Sequence, residues 1–134
     1  MKECIFCKIV NKEMPNETII YEDEHTMAFL DIAPVTKGHT LVVPKKHAVT
    51  LVDIDEETLK KVIATVKKLT TAMTKYTEGV TVGQNNNKAA GQIVDHVHFH
   101  IVPRHTTDGL HPWPRSTYGE GEAANVAEEI KNLL

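Results

Sequence analysis

The sequence predicts an α+β fold, an antiparallel meander sheet with one long helix packed on it, and three observations predict it. Short β-branched runs bounded by turn formers recur in both halves of the chain. A single long amphipathic stretch at helical spacing lies between them. No repeat, low-complexity tract or flexible linker divides the chain, so residues 1–134 read as one domain.

The elements follow in order. The first ten residues suggest a short knuckle and helical turn around Cys4-Ile-Phe-Cys7. Residues 18–22 and 26–31 read as two strands, with Glu22-Asp23-Glu24-His25 as their turn. Pro34 and Gly38 bracket a loop, and residues 40–43 form a third strand that Pro44 stops. The helix begins near Asp53, which with Glu56 resembles a capping box. Leu59, Val62, Ile63, Val66, Leu69 and Met73 then share one face, with Lys60, Lys61, Lys67 and Lys68 largely opposite as a solvated surface. Residues 80–84 read as a strand, 85–91 as a polar loop, and 93–102 as a second strand ended by Pro103. The segment 104–121 is rich in turn formers, and residues 123–134 close the chain as a short amphipathic helix. This pattern leaves open whether the sheet completes itself within one chain or across a dimer.

Composition narrows the function classes. Hydrophobic residues make up 41% and charged residues 25%, as in ordinary globular domains. No apolar run approaches the ~20 residues of a membrane helix, and MKECIFCKIV lacks the features of a signal peptide. Cytoplasm is the expected compartment, with Cys4 and Cys7 as reduced thiols. A net charge of −3 with scattered lysines shows no basic stripe for nucleic acid. Eight histidines stand out.

Three of them lie in Asp95-His96-Val97-His98-Phe99-His100-Ile101-Val102-Pro103-Arg104. On a strand, alternation puts His96, His98 and His100 on one face, ~7 Å apart, with Val97, Phe99 and Ile101 in the core. A packed interior does not select such a row. Two chemistries suit it: imidazoles holding a catalytic zinc, or one neutral imidazole acting as a nucleophile while its neighbours orient it and bind phosphate oxygens. The small residues and amides of residues 85–92, which can approach a ligand closely, favour the second. A zinc hydrolase would more typically add a carboxylate base, and Asp95 faces the other way.

The run His96-Val97-His98-Phe99-His100-Ile101-Val102 completes the signature of the histidine triad (HIT) family, which the chain resembles over nearly its whole length. Phe6, Phe29-Leu30-Asp31-Ile32, residues 38–47 and Gly91-Gln92 carry the resemblance further, toward small bacterial Hint-type proteins. It implies a homodimer whose sheets join, and a hydrolase or nucleotidyl transferase that cleaves AMP or GMP conjugates, such as nucleoside phosphoramidates, at the α-phosphorus. His98 would be the nucleophile and carry the nucleotidyl-histidine. His100 and His39 would bond phosphate oxygens and leaving group, and His96 would orient His98 through its backbone carbonyl. Asp31 would grip the ribose, Phe6, Met14, Phe29 and Ile32 would wall the base, and Asn85 and Gln92 would complete the nucleotide site. Where the family commonly carries Ser or Thr to serve the leaving group, this chain has Ile93.

Cys4-x-x-Cys7 has no βαβ setting for a redox motif, and a structural zinc needs two further ligands. The resemblance implies them: Cys4, Cys7, His47 and His96 as a Zn2+ site. Trp113 sits in a tail that reaches a second subunit's pocket in some relatives or simply pins the tail. Three functions compete: a His98 hydrolase of nucleotide conjugates, with dinucleoside polyphosphates as further substrates; a zinc hydrolase on His96, His98 and His100; and a nucleotide-binding or scaffold protein with little turnover.

Overall fold

The computed structural model of the chain describes residues 3–15 and 17–134. The turn at residues 22–25 is built on Asp23. Its Oδ1 accepts the backbone N–H of His25 and of Thr26, each at 2.8 Å, and its Oδ2 accepts the Tyr21 hydroxyl at 2.9 Å. This Asx-type turn joins β1 (Ile19–Glu22) to β2 (Thr26–Leu30). β3 (Thr40–Pro44), β4 (Gly79–Gln84) and β5 (Phe99–Arg104) complete an antiparallel sheet in the order β1-β2-β3-β5-β4. β5 therefore inserts between β3 and β4, and the long helix α2 (Glu56–Met73) spans the gap in sequence between those two strands.

Alternation along the central strands sorts side chains into two cores. Ala28, Val42, Val97, Phe99 and Ile101 pack under Val62 and Val66 of α2. Met27, Phe29, Leu41 and Val43 face the other way, against Phe6, Ile9 and Val10 of the N-terminal helix α1 (Ile5–Val10). Every residue of β3 is buried, because it has a strand on each side and a helix on each face.

Three boundaries differ from the sequence expectation. Helix α2 is capped by Asp55, whose carboxylate accepts the Thr58 N–H at 3.0 Å, not by Asp53. Asp53 is used two residues earlier, where it accepts the backbone N–H and hydroxyl of Thr50. The last strand starts at Phe99, not 93. Pairing with β3 stops at Val42↔Phe99 and with β4 at Gln84↔Phe99, so residues 93–98 pair with no strand, and Val97 instead donates to the Ala48 carbonyl at 2.7 Å. Pro103 does not end β5, which runs to Arg104. Past Ile101 the strand pairs only with β4, and an open side tolerates a residue without an N–H.

Beyond Arg104 the chain becomes an arm. It ends in α3 (Glu122–Lys131), and from residue 105 onward no residue is buried. None of the described helices is long and apolar enough to cross a membrane.

Candidate functional site around the histidine row

Residues 96–100 run across the α1 side of the sheet, and backbone groups on either hand decide which nitrogen of each imidazole carries the proton. His96 is fully buried and its Nε2 faces the Pro44 carbonyl at 2.8 Å. A carbonyl only accepts, so Nε2 bears the hydrogen and Nδ1 keeps its lone pair. That lone pair points at Cys4 Sγ (3.4 Å), Cys7 Sγ (3.5 Å) and His47 Nδ1 (3.1 Å), and Cys7 Sγ lies 3.3 Å from His47 Nδ1. These four donors lie within 4.8 Å of one another. A tetrahedral zinc with usual bond lengths separates N and S by roughly 3.5 Å and two nitrogens by roughly 3.3 Å, so the donor set fits that ion. Burial, and then the Cys4 thiol beside it, push Cys7 up to about 11. Cys7 therefore stays protonated until a cation draws the proton off.

His98 has the opposite tautomer. Its Nδ1 lies 2.6 Å from the His96 carbonyl oxygen and must donate to it, which leaves the Nε2 lone pair unprotonated. Burial holds its pKa below the ordinary histidine value, against the pull of that carbonyl bond and of the Asp31 carboxylate. A neutral imidazole at pH 7 results. Phe6 stands edge-on to the ring at 5.1 Å and fixes its tilt.

His100 is set by a third backbone group. The Val35 N–H donates to His39 Nδ1 at 3.0 Å, so the proton of neutral His39 sits on Nε2. That Nε2 donates to His100 Nδ1 at 2.9 Å, which puts the His100 proton on Nε2. Burial, with His98 and His39 close by, pushes His100 down to about 4. Burial also lowers His39, although Asp31 Oδ2 lies 3.7 Å from its Nε2. The row thus presents an acceptor nitrogen on His98 beside a donor on His100, with the two rings 5.0 Å apart.

Both His98 and His100 line a cavity of about 360 Å³. Phe6, Phe29, Leu41 and Ile32 form its apolar walls, and Asp31 stands at the polar end. This combination of a broad apolar slot and a few polar groups suits a flat heterocycle joined to a hydroxylated, anionic portion. Asp31 Oδ1 accepts the Ala33 N–H at 2.9 Å, which holds the carboxylate in place at the end of β2.

The structure thus brings Phe6, Phe29, Asp31, Ile32, His98 and His100 together. The other expected residues stand elsewhere. His39 is buried behind His100 and reaches the cavity through it, not directly. Gln92 is turned into the protein: its amide donates to the Val49 and Val94 carbonyls and accepts the Asn87 N–H at 2.8 Å. It thereby clamps Asn87, whose φ of 70° and ψ of 161° is strained for any residue but glycine. Met14 is exposed and lies outside the cavity lining. Asn85 lies outside the lining too, but its Nδ2 is 3.7 Å from the position of a Cβ at Gly91, a cavity residue. Ile5, Ile9 and Val94 line the cavity and were not anticipated. For Ile5 and Ile9 the available signal was their one-turn spacing on α1.

The three triad nitrogens do not converge on a point. His96 turns its lone pair to the cysteines, while His100 Nδ1 is taken by His39. A zinc shared by His96, His98 and His100 has no geometry to rest on. Asp31, His39 and His100 also cluster, but the Val35 N–H on His39 Nδ1 leaves Nε2 protonated and unable to ligate.

Comparison with known proteins follows the same lines. A family model described as the HIT domain matches residues 11–107. An uncharacterized HIT-like protein of Methanocaldococcus jannaschii is 50% identical over 131 residues, covering 97% of this chain and 98% of that one. The adenosine 5′-monophosphoramidase of Schizosaccharomyces pombe is 42% identical over 133 residues, covering 98% of each. Among solved structures, a HIT family member from Bacillus subtilis superposes with a TM-score of 0.89 at 37% identity, covering 99% of this chain and 98% of that one. A zinc-bound histidine triad family protein from Mycobacterium smegmatis gives a TM-score of 0.77 at 36% identity, with coverage of 98% and 95%.

Proposed function

Because the chain belongs to the HIT family, we propose that it hydrolyses purine nucleotide conjugates of the phosphoramidate type, with His98 as nucleophile. One observation carries this reading: the 2.6 Å bond from His98 Nδ1 to the His96 carbonyl leaves an unprotonated Nε2 on a histidine that lines an apolar cavity together with Asp31. The Asp31 carboxylate accepts from the ribose hydroxyls, and the purine lies between Phe6, Phe29 and Ile32. His98 Nε2 attacks the α-phosphorus, and the bond to the leaving group breaks as the new P–N bond forms. The leaving group departs with the electron pair and takes a proton from a water, whose oxygen then attacks the nucleotidyl-histidine. The nucleoside monophosphate is released and neutral His98 returns. His100 Nε2–H donates to the phosphoryl oxygens throughout, and His39 is the positioning residue that keeps that proton in place.

Cys4, Cys7, His47 and His96 would hold a structural Zn2+, which supplies a covalent tie between the knuckle and the histidine row, and no chemistry. The donor spacings above and the zinc-bound relative support it. A second copy of the chain is the proposed partner, and the exposed apolar side chains of the arm, Trp113 and Ile130 among them, support a homodimer. The free Cys4 and Cys7 suit the reducing cytoplasm. Dinucleoside polyphosphates are further candidates, since they pass through the same adduct. A binding protein with little turnover is the second reading, favoured by Ile93 at the cavity lip, where it offers no hydroxyl.

Assay of AMP release from adenosine 5′-phosphoramidate tests the proposal. Turnover by the wild type and its loss in a folded His98→Ala protein are expected. Activity retained in the variant would overturn the nucleophile assignment.

A further inference from the structure

Cys4 and Cys7 are the chain's two cysteines, and the first turn of α1 holds both. Cys4 caps the helix from extended backbone, with φ −102° and ψ 118°, and its sulfur accepts the Cys7 N–H at 3.4 Å. Its side chain thus already leans over the backbone of Cys7, and the two sulfurs lie within 4.8 Å of each other. A Cys-x-x-Cys pair in such a turn is a general setting for dithiol and disulfide to interconvert.

Both sulfurs are accessible from solvent. Cys4 is half-buried and borders two surface grooves, and Cys7 borders one of them beside the exposed His47. His96, by contrast, is fully buried and held at Nε2 by the Pro44 carbonyl. The four-donor cluster therefore has an open half that a small reagent can reach and a closed half that it cannot. Between the two thiols α1 carries Phe6, whose ring packs on Phe29, His96 and His98 at 5.3, 5.9 and 5.1 Å. Whatever loosens this turn loosens the core behind the histidine row.

We propose that Cys4 and Cys7 are a redox modification site: a hydroperoxide oxidises the pair to a disulfide, the cluster gives up its zinc, and α1 loses its tie to the histidine row. The inference rests on the zinc reading above and adds regulation to it. A thiol that ligates a cation is a thiolate, and the thiolate is the nucleophile. One sulfur attacks a peroxide oxygen, the O–O bond breaks, and the departing hydroxide takes a proton to leave as water. The second sulfur then displaces hydroxide from the resulting sulfenic acid, and a second proton makes it water. Two thiolates, one hydrogen peroxide and two protons thus give one disulfide and two waters, with two electrons passing from sulfur to oxygen. His47 and His96 alone are two ligands short of a tetrahedral site.

The test adds hydrogen peroxide to the zinc-loaded full chain and needs no turnover, so it is independent of the His98 assignment. Zinc release is followed with a chromophoric chelator, the tryptic fragment of residues 3–8 is weighed, and Tm is read by calorimetry. Release of about one zinc per chain is expected, with a fragment about 2 Da lighter for its two lost hydrogens. Tm should fall by roughly 10 °C or more, as on metal extraction, and a thiol reductant with added zinc should restore all three. Zinc retained on unmodified thiols at a dose that oxidises the exposed Met14 overturns the proposal. A fragment that gains oxygen instead of losing hydrogen, or an unchanged Tm after zinc release, overturns it too. A chain that takes up no zinc before peroxide is added defeats the zinc reading, and the redox site falls with it.

Discussion

His96 and His100 stand two residues to either side of His98, yet they belong to different parts of the molecule. His96 is fully buried and gives its lone pair to a cluster of two thiols and a second imidazole. His100 borders the cavity, with its Nδ1 lone pair taken by His39 and a proton directed away from it. Residue type is the same, and so is the face of the chain. The difference lies in one backbone contact each: a carbonyl at Pro44 leaves the His96 Nδ1 lone pair turned to the thiols, and an N–H at Val35, relayed through His39, makes His100 a donor. Identical side chains in one row thus acquire distinct chemistry from backbone groups that no residue pattern displays.

That contrast makes predictions on both sides. The largest effect belongs to the centre of the row: His98→Ala lowers kcat for adenosine 5′-phosphoramidate by about 10⁴-fold or more, with circular dichroism unchanged. On the His96 side the effect is on stability first. If the proposed zinc is bound, its extraction by a chelator, or Cys4→Ser, lowers Tm by roughly 10 °C or more, measured by calorimetry with metal content followed in parallel. Any loss of activity should track unfolding. A chelator that abolished turnover in the still-folded protein would break the contrast.

On the His100 side the expected signature is catalytic, with little change in Tm. His39→Ala removes the group that fixes the His100 tautomer and lowers kcat by about 10- to 100-fold, while KM moves little. A KM effect alone would mean that His39 touches the substrate directly. Asp31→Asn weakens the bond to the ribose and raises KM by about 10-fold, about 1.4 kcal/mol. The smallest effect concerns pH. Burial lowers the His98 pKa, so the neutral, nucleophilic form persists below the ordinary histidine value near 6.5. The acid limb of kcat/KM should accordingly have its midpoint below 6.5, and a midpoint above it would contradict the burial argument.

Much of this was legible in the sequence because it depended on side-chain period. Val97, Phe99 and Ile101 did go to the α2 core and His98 and His100 to the other face. The α+β class followed from strand runs and one amphipathic helix. Less legible was whatever depended on neighbours distant in sequence. Residues 93–98 have strand-like composition but pair with no strand. Pro103 reads as a stop, yet the open side of β5 lets it continue. Asp53 and Asp55 are both plausible caps, and only the Thr50 turn decides between them. In the site, the family resemblance singled out Gln92 for the nucleotide, whereas its amide is spent on the strained Asn87 turn. Conversely, Cys4, Cys7, His47 and His96 were named together through the resemblance alone, since nothing in their spacing ties residue 47 to residue 4.

The claim at the centre is that backbone contacts impose one tautomer on His98 and the other on His96 and His100. Two-bond ¹H–¹⁵N correlation of the imidazole nitrogens at neutral pH reads this directly in the intact protein. The expected spectrum has His98 protonated on Nδ1, and His96, His39 and His100 protonated on Nε2. Finding His98 protonated on Nε2 would leave no lone pair toward the cavity and would contradict the account.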